Sequence, residues 1–139
     1  MNPPASAQQL RADRLVLVAD DETDMREAMA MLLAMHGYRV LQARNGLEAA
    51  AMALTHRPAF ALIDIGMPVM DGYRAASQMR RDTALDATTL IAVSGYATDR
   101  HRRQAHEAGM DVYLTKPVDS ALLLSILDGA SQRLRTVTA

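Results

Sequence analysis

Four places in this 139-residue chain put a charged or hydroxyl side chain directly after a strand-like run. Asp20-Asp21 follow Leu15–Ala19, Asp64 ends Phe60–Ile63, Ser94 follows Thr89–Val93, and Lys116 follows Asp111–Thr115. If these runs are parallel strands of one sheet, their C-terminal ends share an edge and the four groups face a common crevice. Three carboxylates gathered there repel by about 4 kcal/mol per pair at ~4 Å and an effective dielectric near 20. A hard divalent cation relieves that repulsion, and a site with few carboxylates and room for water suits Mg²⁺. Lys116 adds a point charge suited to a phosphate oxygen, and Ser94 adds a hydroxyl. A nucleophilic acid, a metal, a lysine and a hydroxyl together form an apparatus for phosphoryl transfer to a carboxylate. Each piece alone is ordinary: Asp-Asp caps a helix, an acid or Ser-Gly makes a turn, Lys-Pro ends a strand. Their joint occurrence at four strand ends is far more specific.

The elements that must position these groups are legible in the pattern. The chain is organised around Ala59–Gly72, AFALIDIGMPVMDG. Its apolar first half reads as a strand buried on both faces, and Gly66, Pro68 and Asp71-Gly72 make a loop after the acid. Before it, Leu15–Ala19 is a buried strand. Thr23 is placed to cap a helix carrying Met25, Met29, Leu32 and Leu33, and Gly37 to end it. Tyr38–Ala43 is broken by Arg39 and Gln42 and reads as an edge strand. Asn45 with Glu48 resembles a capping box for a helix with a Leu47, Ala51, Leu54 stripe, stopped by Pro58. After it, Asp71 caps a helix with Tyr73, Ala76 and Met79 on one face. Thr89–Val93 is a buried strand. A polar fourth helix, about Thr98–Ala108, has a poor apolar stripe and should pack weakly and move easily. Asp111–Thr115 is the fifth strand, and Asp119 caps a last helix through Leu123, Ile126, Leu127 and Leu134. Five strands alternating with five helices imply a parallel sheet covered on both faces. Alternation alone leaves the strand order open.

Composition narrows the class. Half the residues are hydrophobic, 22% are charged and the net charge is −1, which gives no general push toward nucleic acid or membrane. Without cysteine there are no disulfides, thiolate metal sites or Cys nucleophiles. Aromatics are scarce at 4% while Met is abundant at 10 residues, read mainly as filler of core gaps. Residues 1–13 read as a flexible arm with no signal-peptide core, 14–134 as one domain and 135–139 as a frayed tail. No stretch is apolar enough to span a bilayer, so a cytoplasmic location is expected.

The motifs LVLVADDE, LIDIGMPVMDG, IAVSGYA and EAGMDVYLTKPVD resemble the receiver domain of two-component response regulators, the family of the chemotaxis response regulator. The likeness covers about Arg14–Leu134, including the intervals of 30 residues from Asp64 to Ser94 and 22 from Ser94 to Lys116. It implies a flavodoxin-like α/β fold, a five-stranded parallel sheet in the order 2-1-3-4-5 with five helices. It implies Asp64 as phosphoacceptor, and Asp21, Asp64 and the Gly66 carbonyl as Mg²⁺ ligands, with Asp20 acting through a metal-bound water. It implies Lys116 on a phosphoryl oxygen, Ser94 and Tyr113 as the switch pair, and a cis bond before Pro117. Gly66 and Tyr96 occupy the two positions that tune phosphoryl lifetime in the family.

The resemblance also implies partners: a histidine kinase or histidine phosphotransfer protein as donor, and a downstream protein target on the face of helix four, strand five and helix five. Leu122 and Leu124 are candidates for an apolar contact there. The protein is expected to act as a single-domain response regulator, monomer or weak homodimer, catalysing only its own modification. The alternatives are a receiver belonging to a hybrid sensor kinase and a phosphate-independent interaction module. A Mg²⁺-dependent phosphohydrolase would need a second acid where Gly66 stands. A flavin-binding flavodoxin would have to seat a phosphate against the acid cluster. The Arg100, Arg102, Arg103 cluster reads as a solvated or acidic-partner face, not a nucleic-acid site, and His101 and His106 read as surface residues.

Overall fold

A computed structural model describes residues 14–133, with side chains to residue 129. The expectations for residues 1–13, for 135–139 and for Leu134 lie outside the described residues. The strands are β1 Leu15–Ala19, β2 Arg39–Ala43, β3 Phe60–Asp64, β4 Thr89–Ser94 and β5 Val112–Thr115. The helices are α1 Thr23–Met35, α2 Gly46–His56, α3 Gly72–Arg80, α4 Asp99–Glu107 and α5 Ser120–Arg133, with a short 3₁₀ turn at Thr83–Leu85. The strands form one parallel sheet in the order β2-β1-β3-β4-β5, so the flavodoxin-like reading holds.

Alternation along each strand splits the core in two, because successive side chains point to opposite faces. Leu17, Ala61, Ile63, Leu90 and Ala92 pack under α2, α3 and α4 with Ala49, Ala53, Ala76, Met79 and Ala105. Val16, Val18, Phe60, Leu62, Ile91 and Leu114 pack under α1 and α5 with Leu33, Leu123 and Leu127. β3, at the centre, is buried at all five positions.

Register lines up the functional groups. Ala19 is level with Ile63, Asp64 with Val93, and Ser94 with Thr115. Asp20 and Asp64 therefore share a level, Ser94 sits one residue further along, and Lys116 one further again. The ladder continues past the strand ends: Asp20 N–H donates to Ala43 O at 3.1 Å, Ile65 N–H to Val93 O at 3.0 Å and Lys116 N–H to Ser94 O at 2.8 Å. Each reactive residue is thus tied by backbone to its neighbouring strand.

Three local expectations are corrected. Glu22, not Thr23, is the residue before α1, and it makes no side-chain cap. The Asp20 carboxylate takes the Glu22 N–H at 2.9 Å, which fixes the turn and starts the helix at Thr23. The α2 stripe is Ala49, Ala50 and Ala53; Leu47 and Ala51 are exposed. Alanines let α2 lie close on the sheet, and Gly46 meets the β3–α3 loop so tightly that a Cβ there would stand 2.1 Å from Met70 O. On α1 the buried residues are Arg26, Ala30 and Leu33, while Met25 is exposed. The methionines divide: Met67, Met79 and Met110 fill core, whereas Met25, Met31 and Met35 face solvent.

Candidate functional site

The β3–α3 loop presents Asp64. Asp71 caps α3 by accepting the Arg74 N–H at 2.9 Å, and Gly72 N–H returns to Ile65 O at 3.1 Å. This fold-back requires glycine, because a Cβ on Gly72 would lie 2.7 Å from Asp64 O. Asp64 is itself buried at 8% exposure, with Oδ1 accepting the Gly66 N–H at 3.2 Å and Oδ2 3.3 Å from Lys116 Nζ. Asp20 is equally buried at the end of β1, and Asp21 beside it is exposed. One carboxylate oxygen from each of Asp20, Asp21 and Asp64 lies within 4.8 Å of the other two.

This donor set fits a hard cation. It is all oxygen, with two buried acids and one facing water, and it leaves room for solvent ligands. Burial pushes the Asp20 carboxyl above its ordinary value of 3.8, and the charge of Asp64 pushes the same way. The Glu22 N–H and Lys116 pull against them. Three acids offset by a single lysine are what a divalent cation stabilises. At Gly66 a Cβ would meet only Asp64 Oδ1, at 4.0 Å, so packing does not demand glycine there.

Ser94 is buried at 1% exposure, and its Oγ accepts the Tyr96 N–H at 3.1 Å. Tyr113, half-buried on β5, donates its hydroxyl to Tyr96 O at 2.6 Å, with the Arg102 guanidinium 5.0 Å above its ring. The two sides of the Tyr96 backbone are therefore held by Ser94 and Tyr113. The Lys116–Pro117 peptide is cis. A cleft of about 490 Å³ joins Asp21, Asp64, Gly66, Ser94 and Lys116 to Tyr73, Tyr96, His101 and Gln104. The structure thus brings Asp20, Asp21, Asp64, Gly66, Ser94, Tyr96 and Lys116 to one sheet edge. Tyr113 stands behind them, joined through Tyr96. Pro117 lines a second, more apolar hollow of about 370 Å³ between α1 and the start of α5, with Met25, Met29 and Val118.

The response regulator receiver domain family matches residues 16–128. The chain belongs to that family. This receiver domain is 35% identical over 115 residues to protein PilH of Pseudomonas aeruginosa, covering 83% of the chain and 94% of PilH. It is 36% identical over 118 residues to a segment of the sensor histidine kinase CheAY of Helicobacter pylori, of which the match covers only 15%. Among solved structures it is similar to the chemotaxis protein CheY4 of Vibrio cholerae, with a TM-score of 0.78, 27% identity, and 83% and 96% of the two chains covered. It also resembles the receiver domain of the sensor histidine kinase PA1611 of P. aeruginosa, at 30% identity and a TM-score of 0.77, covering 84% and 95%. That structure carries a magnesium ion coordinated in its active site cleft. The receiver therefore has relatives both among single-domain regulators and inside sensor kinases.

Two residues at the site were not singled out as such in the sequence. Arg26 is buried at 7%, donating to Asp20 O at 2.9 Å and to Gln42 Oε1 at 3.1 Å, so it braces the acid turn from behind. Its helical spacing gave no signal. His101 is not a free surface residue: its ring stacks on Tyr96, whereas His106 is exposed. Leu122 is exposed, while Leu124 packs against the core under α1 and α5. Among the described residues no helix is long and apolar enough to cross a membrane.

Proposed function

We propose that this receiver domain takes a phosphoryl group from a phosphohistidine of a kinase or phosphotransfer protein onto Asp64. The observation that carries the reading is a buried carboxylate set between an acid pair and a lysine. A carboxylate oxygen of Asp64 forms the new bond to phosphorus, the phosphorus–nitrogen bond of the donor breaks, and the donor imidazole leaves with its electron pair. Lys116 holds phosphoryl oxygens through the loose transition state. Asp20, Asp21, Asp64 and the Gly66 carbonyl would hold Mg²⁺, which supplies charge neutralisation between acid and phosphate when bound. The chain is then modified by its own site and turns over no separate substrate.

The output follows from the same contacts. Ser94 leaves the Tyr96 N–H to bond a phosphoryl oxygen, and Tyr113 moves inward as the Tyr96 segment shifts. α4 buries only Ala105, so little core packing opposes its displacement. The face of α4, β5 and α5, with Leu122 exposed, presents the change to a protein target in the cytoplasm. The match along nearly all of PilH supports a single-domain regulator. The match to a segment of CheAY supports, as the second reading, a receiver that works within a sensor kinase. The test is incubation with Mg²⁺ and a small acyl phosphate, followed by intact mass. One added phosphate on wild type and none on Asp64→Ala is expected; an unmodified wild type, or undiminished uptake by Asp64→Ala, overturns the assignment.

A further inference from the structure

The mouth of the Asp64 cleft is built from an aromatic pair. The Tyr96 and His101 rings lie parallel, with centroids 4.6 Å apart and planes inclined by 7°. Tyr96 is 62% exposed and has no core packing to fix its ring. His101 is the better anchored member. Its Nδ1 pairs with the hydroxyl of Thr98, the residue that caps α4, and its carbonyl accepts the Tyr73 hydroxyl at 3.4 Å. Both rings line the cleft that contains Asp64, Ser94 and Lys116. Gly66, which also lines the cleft, has no side chain to add bulk there.

An exposed tyrosine with two free torsions would otherwise sample several rotamers. Stacking on a fixed partner selects one of them. We infer that His101 is a positioning residue: by stacking on Tyr96 it holds that ring as the outer wall of the Asp64 cleft and so limits how fast water and small phosphodonors reach Asp64. This rests on the phosphoacceptor reading above. It extends that reading to a residue outside the reacting groups, on the helix proposed to move. Displacement of α4 in the switched state would carry His101 with it, so the wall and the output face would shift together.

The experiment measures two rates by intact mass on the purified chain, phosphate uptake from acetyl phosphate with Mg²⁺ and phosphate loss after donor removal. His101→Ala is expected to raise both about 2- to 10-fold, the range set by the strength of one aromatic pair. His101→Phe, which keeps a stacking ring, is expected to stay within about twofold of wild type. Tyr96→Ala is expected to speed both rates, and Tyr96→Ala with His101→Ala to be no faster than Tyr96→Ala alone, because His101 acts through that ring. A merely structural role for His101 would lower the unfolding midpoint without producing this non-additivity. Unchanged rates in His101→Ala, or effects of the two substitutions that multiply, overturn the inference while leaving Asp64 as acceptor. A wild type that takes up no phosphate overturns both.

Discussion

Replacing Asp20 by Asn tests the acid cluster without any reference to phosphate. The carboxylate oxygens of Asp20 and Asp64 lie within 4.8 Å, which at an effective dielectric near 20 corresponds to about 3.5 kcal/mol of repulsion. Asp21 is exposed, so its repulsion of Asp20 is nearer the aqueous value of about 1 kcal/mol. The attraction of Lys116 offsets part of this, and unfolding separates Asp64 from Asp20, while Asp21, its neighbour in sequence, stays close in both states. Asn keeps the oxygen that accepts the Glu22 N–H. The variant should therefore be more stable than wild type by about 1–3 kcal/mol in EDTA at pH 7, or ~4–12 °C in midpoint for a domain of this size. The sign of the pH dependence follows. The Asp20 carboxyl has a raised folded value, so between 3.8 and that value the native chain binds more protons than the unfolded one. Stability falls as pH rises through that window, and Asp20→Asn should remove that part of the fall. Mg²⁺ should reverse the ranking. A ligand at 100 times its Kd stabilises by about 2.7 kcal/mol, and the variant, with one acid fewer, should gain much less. Urea titrations followed by circular dichroism, with EDTA and with Mg²⁺, measure all of this. An Asn variant no more stable than wild type in EDTA, or one that gains as much from Mg²⁺, refutes the reasoning.

Other residues make equally definite predictions. Arg80 donates to Gly109 O, Leu85 O and Thr88 O at 2.7–2.9 Å and to Asp111 at 2.7 Å, so Arg80→Ala should cost about 2–4 kcal/mol in urea. Arg80→Lys should recover less than half, because a single ammonium cannot span those acceptors. Tyr38 is buried and donates its hydroxyl to Asp128 across the sheet end. Tyr38→Phe should lower stability at pH 7 by about 1–2 kcal/mol in the same titration. Burial first, and then Asp128, raise the Tyr38 phenol above its ordinary 10.0. Wild-type stability should therefore fall as pH rises above 10, and Tyr38→Phe should show a shallower fall. Gly46→Ala sets a Cβ 2.1 Å from Met70 O, and should cost about 1–3 kcal/mol despite the better helix propensity of alanine. A thermal midpoint equal to wild type would show that the loop yields freely.

Much of the molecule could be read from local chemistry. A run buried on both faces is apolar at every position, and Phe60–Asp64 is buried throughout. Asn45, Asp71 and Asp119 each cap the helix expected of them, because an N-cap is a contact between residues three apart; Thr98, read as the first residue of the fourth helix, turns out to be its cap. Acids, hydroxyl and lysine at strand ends followed from the strand boundaries, and parallel register then placed them on one edge. What the sequence could not decide were contacts whose partners come from elsewhere in the chain. The α2 face was misread because leucine outranks alanine in hydrophobicity, whereas burial was set by how closely a helix of alanines approaches the sheet and the Met70 carbonyl. Arg26 and Arg80 look like solvent-facing charges, yet each is a hub. Their acceptors are backbone carbonyls and side chains that only the folded chain assembles. His101 gained its partner because the turn after β4 folds Tyr96 back over α4. Residue types and spacing determined which groups could do phosphoryl chemistry. Tertiary packing decided which residues hold them still, because a hydrogen-bond acceptor or a stacking face has no address in the sequence until the backbone brings it there.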